Sequence, residues 1–529
     1  MYIKKSMYNR AFKTLCFVFF LFFTSVIFAQ NRFSNDATLR KIYTFQYNQE
    51  SDSLKVYFTH QNPNYREAAC LAFASVQDTN IVSELFDLLP LEKQAQVRKA
   101  IIYSLGQMNA WQNNKLLQYF DLEQNLEVKG VCLEAIAKTS KKDLSDFFAN
   151  IQLFSQNTDY MSSYWRALYF ANKRKNLNVW HEDLNQRLNE LDLSNPRILF
   201  IHNQLFKSAQ IVALEGEIQN KRIQNNYASV DAYLKSISSP YKQHNYIKDS
   251  LFTDEVLLQL VHSQNHSLVR YEALDRYIKK YWQMIGWNEK INSDLIDRVF
   301  ESGDVALISR MAEYVKDQNF SNRKVVVTKE NLLLVQQKLV LPRDFEVWVD
   351  LEKAILSFEG KKYQYESYFT TGYQNPIDWN YIVKVPQNQK VKIMTNKGEV
   401  ILECKVNEAP ASVSNFLKLV DSGYYDGKYF HRMVPNFVVQ GGCPRGDGWG
   451  SLNWNQRSEF SNYLTYKPGS VGLASVGKDS EGVQFFITHT FTQNLDGRYT
   501  IFAEVVQGME LVNQLVVGDV IVKIELLKD

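Results

Sequence analysis

Phe430-His431-Arg432-Met433-Val434-Pro435-Asn436-Phe437-Val438-Val439-Gln440-Gly441-Gly442 decides the reading of this chain. It places two short β-rich runs, 429–434 and 437–441, on either side of Pro435-Asn436. A second run, Gly482-Val483-Gln484-Phe485-Phe486-Ile487, opens another strand over 484–488. Alternate residues of a strand share a face, so Phe430 is expected beside Arg432, Val438 beside Gln440 and Gln484 beside Phe486. Each pair sets an apolar side chain next to a hydrogen-bond donor. On an inward face, Arg432, Gln440 and Gln484 would be buried without obvious partners, which is costly. On an outward face they form an apolar groove studded with donors, the anatomy of a ligand site.

Outward from these strands the period-two pattern continues. Runs 391–395 and 400–404 flank Asn396-Lys397-Gly398-Glu399, a hairpin signal. Val413, Phe416, Leu417 and Val420 then line one helical face, with Gly423 as its stop. Further strands are expected at 500–505 and 520–526, with a second amphipathic helix over 509–515. Many antiparallel strands with two helices in about 140 residues predict a barrel capped by helices.

The two central motifs closely resemble those of cyclophilin-type peptidyl-prolyl isomerases, and the resemblance covers about residues 388–529. It implies a closed, eight-stranded antiparallel β-barrel with two capping helices and a groove on its outer face. It also implies that Arg432 is the catalytic arginine, assisted by Gln440. Phe437, Val438, Phe486 and Leu495 would wall a proline pocket. Gln440, Ala474, Ser475 and Gln484 would hold the substrate backbone and neighbouring residues, and Tyr499 stands where many members have His. The family needs no cofactor, metal or nucleotide. Asn494 occupies the position where cyclosporin-sensitive members carry Trp, which predicts weak cyclosporin binding. Trp449 makes the loop Gly446-Asp447-Gly448-Trp449-Gly450-Ser451 bulkier than the usual glycine-rich turn.

Residues 30–320 read as helical, and one pattern recurs. Tyr65-Arg66-Glu67-Ala68-Ala69 is echoed by Val97-Arg98-Lys99-Ala100-Ile101 and by Val128-Lys129-Gly130-Val131-Cys132. Looser copies surround Arg166 and Arg270, each after a polar break such as Gln61-Asn62-Pro63-Asn64. Helix pairs that cannot bury their apolar faces alone predict an α-solenoid, and the segment resembles HEAT-type repeats. Its long surface suits a protein partner or client. Residues 321–387 lose the helical period; 325–327 and 345–349 look like short strands or a terminal cap, and the stretch reads as a last repeat or cap followed by a linker.

The remaining observations bound the class. A chain of 529 residues predicts several folded units. With 45% hydrophobic residues, 22% charged and a net charge of +3, it has an ordinary globular composition and no basic field for nucleic acid. Lys4, Lys5, Arg10 and Lys13 precede an apolar run over 15–28 that ends at Ala29. Fourteen helical residues rise only about 21 Å, short of the roughly 30 Å hydrocarbon core. Residues 1–29 therefore read as a secretory signal peptide, which predicts an exported, periplasmic or envelope-associated bacterial protein without a membrane span after cleavage. Loss of those four cations would turn the net charge from +3 to −1. Four cysteines follow: Cys70 and Cys132 are expected as buried thiols, and a Cys404–Cys443 bridge is left open. Gly446-Asp447-Gly448-Trp449-Gly450 lacks the GK[ST] of a phosphate loop, and His431 and His489 have no third metal ligand at suitable spacing. Two functions compete: an exported isomerase that assists folding, and a noncatalytic scaffold that grips proline segments.

Overall fold

A computed structural model describes residues 30–110, 112, 115–154, 157–177, 223–224, 227–236, 240–249, 251–282, 293–317, 327–364 and 375–527. The signal-peptide segment 1–29 lies outside them. No described helix is long and apolar enough to cross a membrane.

The first helical block stacks α1 (Ala37–Asn48), α2 (Pro63–Val76), α3 (Ala95–Gln107), α4 (Leu126–Thr139) and α5 (Thr158–Lys173), with shorter helices between them. The polar breaks start the helices. Asn62 accepts from the Asn64 N–H ahead of Pro63, Asn125 from Val128 and Asn157 from Tyr160. Small residues let the helices approach. A Cβ on Gly106 would stand 3.2 Å from the Ala135 Cβ, and one on Gly130 would stand 3.0 Å from Ser163. The recurring arginine repeats one set of bonds. Arg66 Nε meets Glu92 at 2.8 Å while its Nη1 donates to the His60 carbonyl. Arg98 does the same with Glu123, at 2.8 Å, and with the Lys93 carbonyl. Cys70 and Cys132 are buried free thiols.

The second block contains α6 (Asp254–Val261), α7 (Ser267–Trp282), α8 (Val305–Lys316) and α9 (Phe345–Phe358). Of the alternatives read for 345–349, the strand fails: the segment opens a helix. Phe345, Val347 and Val349 alternate in burial, but Leu351, Ala354 and Ile355 continue at helical spacing. Packing of α9 on α8 overrides the β-branched start.

After residue 389 come eight strands: β1 (Lys390–Thr395), β2 (Gly398–Cys404), β3 (Phe430–Val434), β4 (Val438–Gly441), β5 (Ser470–Leu473), β6 (Phe485–Thr488), β7 (Ile501–Gln507) and β8 (Ile521–Leu526). Their order is β8-β1-β2-β7-β5-β6-β4-β3, antiparallel throughout. The expected closed barrel is corrected: the sheet is an open half-barrel. Its edge strands β8 and β3 share no ladder, and the seam holds only an isolated bridge, Tyr429–Val520, with a few loop hydrogen bonds. A bulge between Phe430 and Arg432 bends β3, which is already short, away from a continuous pairing. Strand β5 escaped the periodicity because all four of its residues are buried.

α10 (Pro410–Asp421) covers the concave face with Val413, Phe416, Leu417 and Val420, each contributing about 1.5–3 kcal/mol when buried. The second expected helix shrinks to one turn, Met509–Val512. Cys404 and Cys443 are both free and buried, so no bridge joins them. The first block is tied to the sheet by Asn31, whose amide donates to the Ile382 and Val385 carbonyls at 2.8 and 2.7 Å. Trp379 adds an indole bond to Thr44 at 3.0 Å.

Candidate active site

The bulge that opens the sheet also aims the key side chain. Simple alternation predicts Phe430 and Arg432 on one face, and the structure separates them. Phe430 is fully buried in the concave core, whereas Arg432 is exposed on the convex side. The other pairs hold. Val438, Gln440 and Phe486 share the outer face, with Gln440 opposite both Arg432 and Phe486 in register. Gln484 sits one residue before β6.

These residues surround an open cleft of about 640 Å³, lined by Arg432, Phe437, Val438, Gln440, Ala474, Ser475, Phe486, Leu495, Tyr499 and Glu346. Its floor is a small core of its own, with Val438, Phe486 and Leu495 at 2%, 5% and 6% exposure. Tyr466 stacks beneath Phe486 at 5.6 Å, and Tyr499 meets the same ring edge-on at 5.8 Å. Gly472 makes that stack possible. A Cβ there would lie 2.1 Å from the Tyr466 hydroxyl and 2.6 Å from the Phe486 ring.

A relay of amides crosses the rim. Arg432 Nη1 reaches Gln440 Oε1 at 3.5 Å, and Gln440 Nε2 donates to Gln484 Oε1 at 3.0 Å. Gln484 Nε2 donates in turn to the Gly448 and Gly450 carbonyls, both at 2.9 Å. These bonds fix both amide orientations and leave guanidinium N–H groups of Arg432 free to face the cleft. Desolvation by the apolar walls lowers the Arg432 pKa, but an arginine keeps its charge. His431 lies under Gly448, where burial lowers its pKa to about 4 and leaves it neutral. The Ser475 hydroxyl has no partner among the described residues.

All ten residues singled out from the sequence thus gather at one place: nine line the cleft, and Gln484 anchors its rim. The arrangement is an apolar-floored pocket with a cation at its edge. The profile of the cyclophilin type peptidyl-prolyl cis-trans isomerase/CLD family matches residues 390–526. A peptidyl-prolyl cis-trans isomerase of Helicobacter pylori is 39% identical over 132 residues, covering 24% of this chain and 81% of that protein. Peptidyl-prolyl cis-trans isomerase B of Bacillus subtilis is 39% identical over 129 residues, covering 24% and 90%. The chain belongs to the cyclophilin-type isomerases. Cyclophilin domains bind proline-containing substrates, and this one carries the family's activity, peptidyl-prolyl cis-trans isomerisation.

Sequence reasoning missed one residue of the cyclophilin groove. Glu346 comes from α9, about 90 positions before Arg432, and no periodicity or motif connects the two. Tyr466, which supports Phe486 from below, was also missed; the requirement for Gly472 is its only signal.

Proposed function

We propose that this chain is an exported folding catalyst in which Arg432 is the catalytic residue and Gln440 fixes its position. Rotation about an X–Pro bond breaks amide resonance, against a barrier of about 18–20 kcal/mol. In the twisted state the proline nitrogen becomes pyramidal and its lone pair localises. A guanidinium aimed at that nitrogen favours the twisted state over the planar one. Phe437, Val438, Phe486 and Leu495 hold the ring while the preceding carbonyl turns, and Ala474, Ser475, Gln484 and Tyr499 hold the flanking backbone. The observation that carries this reading is the Arg432 guanidinium at the edge of the Phe486 pocket, steadied through Gln440 and Gln484. A 10⁵-fold acceleration would require about 7 kcal/mol of such stabilisation.

Residues 1–29 would direct the chain to the bacterial envelope, and the HEAT-like helical region would offer clients or a partner a binding surface. Envelope fractionation with N-terminal sequencing tests export; the expected mature start is Gln30. The chemistry is tested by cis–trans exchange of a short Ala-Ala-Pro-Phe peptide, followed by NMR line shape. The mature chain should accelerate exchange and Arg432→Ala should lose most of that acceleration. Peptide binding without acceleration would instead favour a noncatalytic scaffold.

A further inference from the structure

The second helical block grips the groove's rim. Ser267 donates to Asp447 at 2.7 Å, and Arg445 bridges Asp304 at 3.0 Å and Asp447 at 2.7 Å. Tyr241 bonds the Gly446 carbonyl, and Trp449 packs on Tyr271 at 5.0 Å. The dock brings the first turn of α9 against the cyclophilin sheet. There Pro342, Arg343, Phe345 and Glu346 wall a second, narrow cleft, whose far side includes Ser451 and Gln484. Only Glu346 and Ala474 line both clefts.

Glu346 is half-buried and makes no hydrogen bond or ion pair with any described residue. The cations around it are committed elsewhere. Arg343 forks onto Asp344 at 2.8 Å, Lys353 meets Asp350 at 3.2 Å, and Arg445 is held by Asp304 and Asp447. Arg432 faces the proline cleft from the sheet. Burial, reinforced by the Asp350 and Asp447 carboxylates and opposed by Lys353, raises the Glu346 pKa to about 7. A partly desolvated carboxylate without a partner favours an incoming cation.

The direction of the bound chain follows from the reaction. Arg432 must face the proline nitrogen, so the residues preceding proline leave the pocket on the Arg432–Gln440–Gln484 side. That relay ends at the second cleft. We propose that Glu346 makes this isomerase select segments carrying lysine or arginine on the N-terminal side of proline. The preference is supplied by the helical part of the chain, and it rests on the isomerase reading of the groove.

The test measures kcat/KM of the full mature chain on Ala-Lys-Pro-Phe and Lys-Ala-Pro-Phe against their glutamate counterparts. A preference of about tenfold for the better lysine peptide is expected for a partly screened ion pair. It should fall to near unity in Glu346→Gln, persist in Glu346→Asp and invert in Glu346→Lys. Because the carboxyl is neutral below pH about 7, the ratio should grow between pH 6 and 8. Equal rates for lysine and glutamate peptides, or a ratio untouched by Glu346→Gln, would overturn the assignment. Failure of the isomerase reading looks different: no peptide, Ala-Ala-Pro-Phe included, is accelerated. Selectivity is then read from the dissociation constants of the same peptides, and equal values for lysine and glutamate would overturn it there too.

Discussion

On one side of the proline cleft, Leu495 is backed by Asp496 and Gly497, which face the first helical block. In the amide orientation that satisfies both partners, Gln107 donates to the Gly497 carbonyl at 3.0 Å and accepts from Lys138 at 3.3 Å. Arg166 and Lys138 set their charges against Asp496. Yet no described residue of that block lines the cleft. On the other side, the second block holds the 445–450 loop by the same kinds of bond and then adds Glu346 to the groove itself. Both blocks brace the enzyme, but only the second can alter what the groove accepts. Bracing alone therefore does not distinguish a scaffold from a specificity element; a side chain projecting into the site does.

The largest effect should come from the arginine that the sheet itself supplies. Arg432→Ala is expected to lower kcat/KM by about 10²–10³, the range for losing one preorganised electrostatic donor. Peptide affinity should change far less, since the Phe486 pocket remains. A comparable loss in affinity would mean that the arginine serves binding, and exchange line shapes read both quantities at once. Next comes Arg445→Ala, which removes the shared partner of Asp304 and Asp447, both nearly buried. Stranding a buried acid costs about 3–5 kcal/mol; Arg270 and Ser267 still serve these two, so about 2–4 kcal/mol is expected by chemical denaturation. Selectivity for lysine peptides should fall as well, because α9 loses its anchor. A stable variant with intact selectivity would show that the grip is incidental.

The same contrast explains what could be read from the chain. Val438, Gln440 and Phe486 were legible because they lie in two short motifs whose alternation survives folding, and Phe437 by resemblance. Arg432 was legible by resemblance, but the parity argument that paired it with Phe430 failed, since a bulge resets alternation without leaving a mark in composition. Closure of the sheet was misjudged for the same local reason. Strand β5 was invisible because a strand buried on both faces has no period. Glu346 was beyond reach altogether. Its position depends on Arg445–Asp304 and Trp449–Tyr271, contacts between segments 140 to 180 residues apart that no local pattern encodes.

Gly472→Ala probes the floor that the two sides share. The new methyl group would collide with the Tyr466 hydroxyl and the Phe486 ring. Overpacking of this kind costs about 1–3 kcal/mol. Because the strain falls on the proline pocket, KM should rise several-fold while the lysine-to-glutamate ratio holds. A ratio that moved with KM would mean that the second cleft is not independent of the first.

The smallest effect tests the first block's side. Burial raises the Asp496 pKa from 3.8 to about 6, against the opposing pull of Arg166 and Lys138. The unfolded chain releases this proton near 3.8, so the folded chain holds it over the interval between. Stability from this group is therefore full below about pH 4 and is lost as pH rises through 6. Two pK units correspond to about 3 kcal/mol; adjustment of the neighbouring cations should leave about 1 kcal/mol. Asp496→Asn fixes the neutral form, so its stability relative to the parent chain should improve by that amount between pH 4 and 7.5. Thermal denaturation at the two pH values measures the difference. Parallel behaviour of the two chains would mean that Asp496 is ionised throughout and paired with Arg166, an ion pair like that of Arg445 with Asp447 in its geometry. The two sides would then be braced by the same chemistry, and Glu346 alone would separate them.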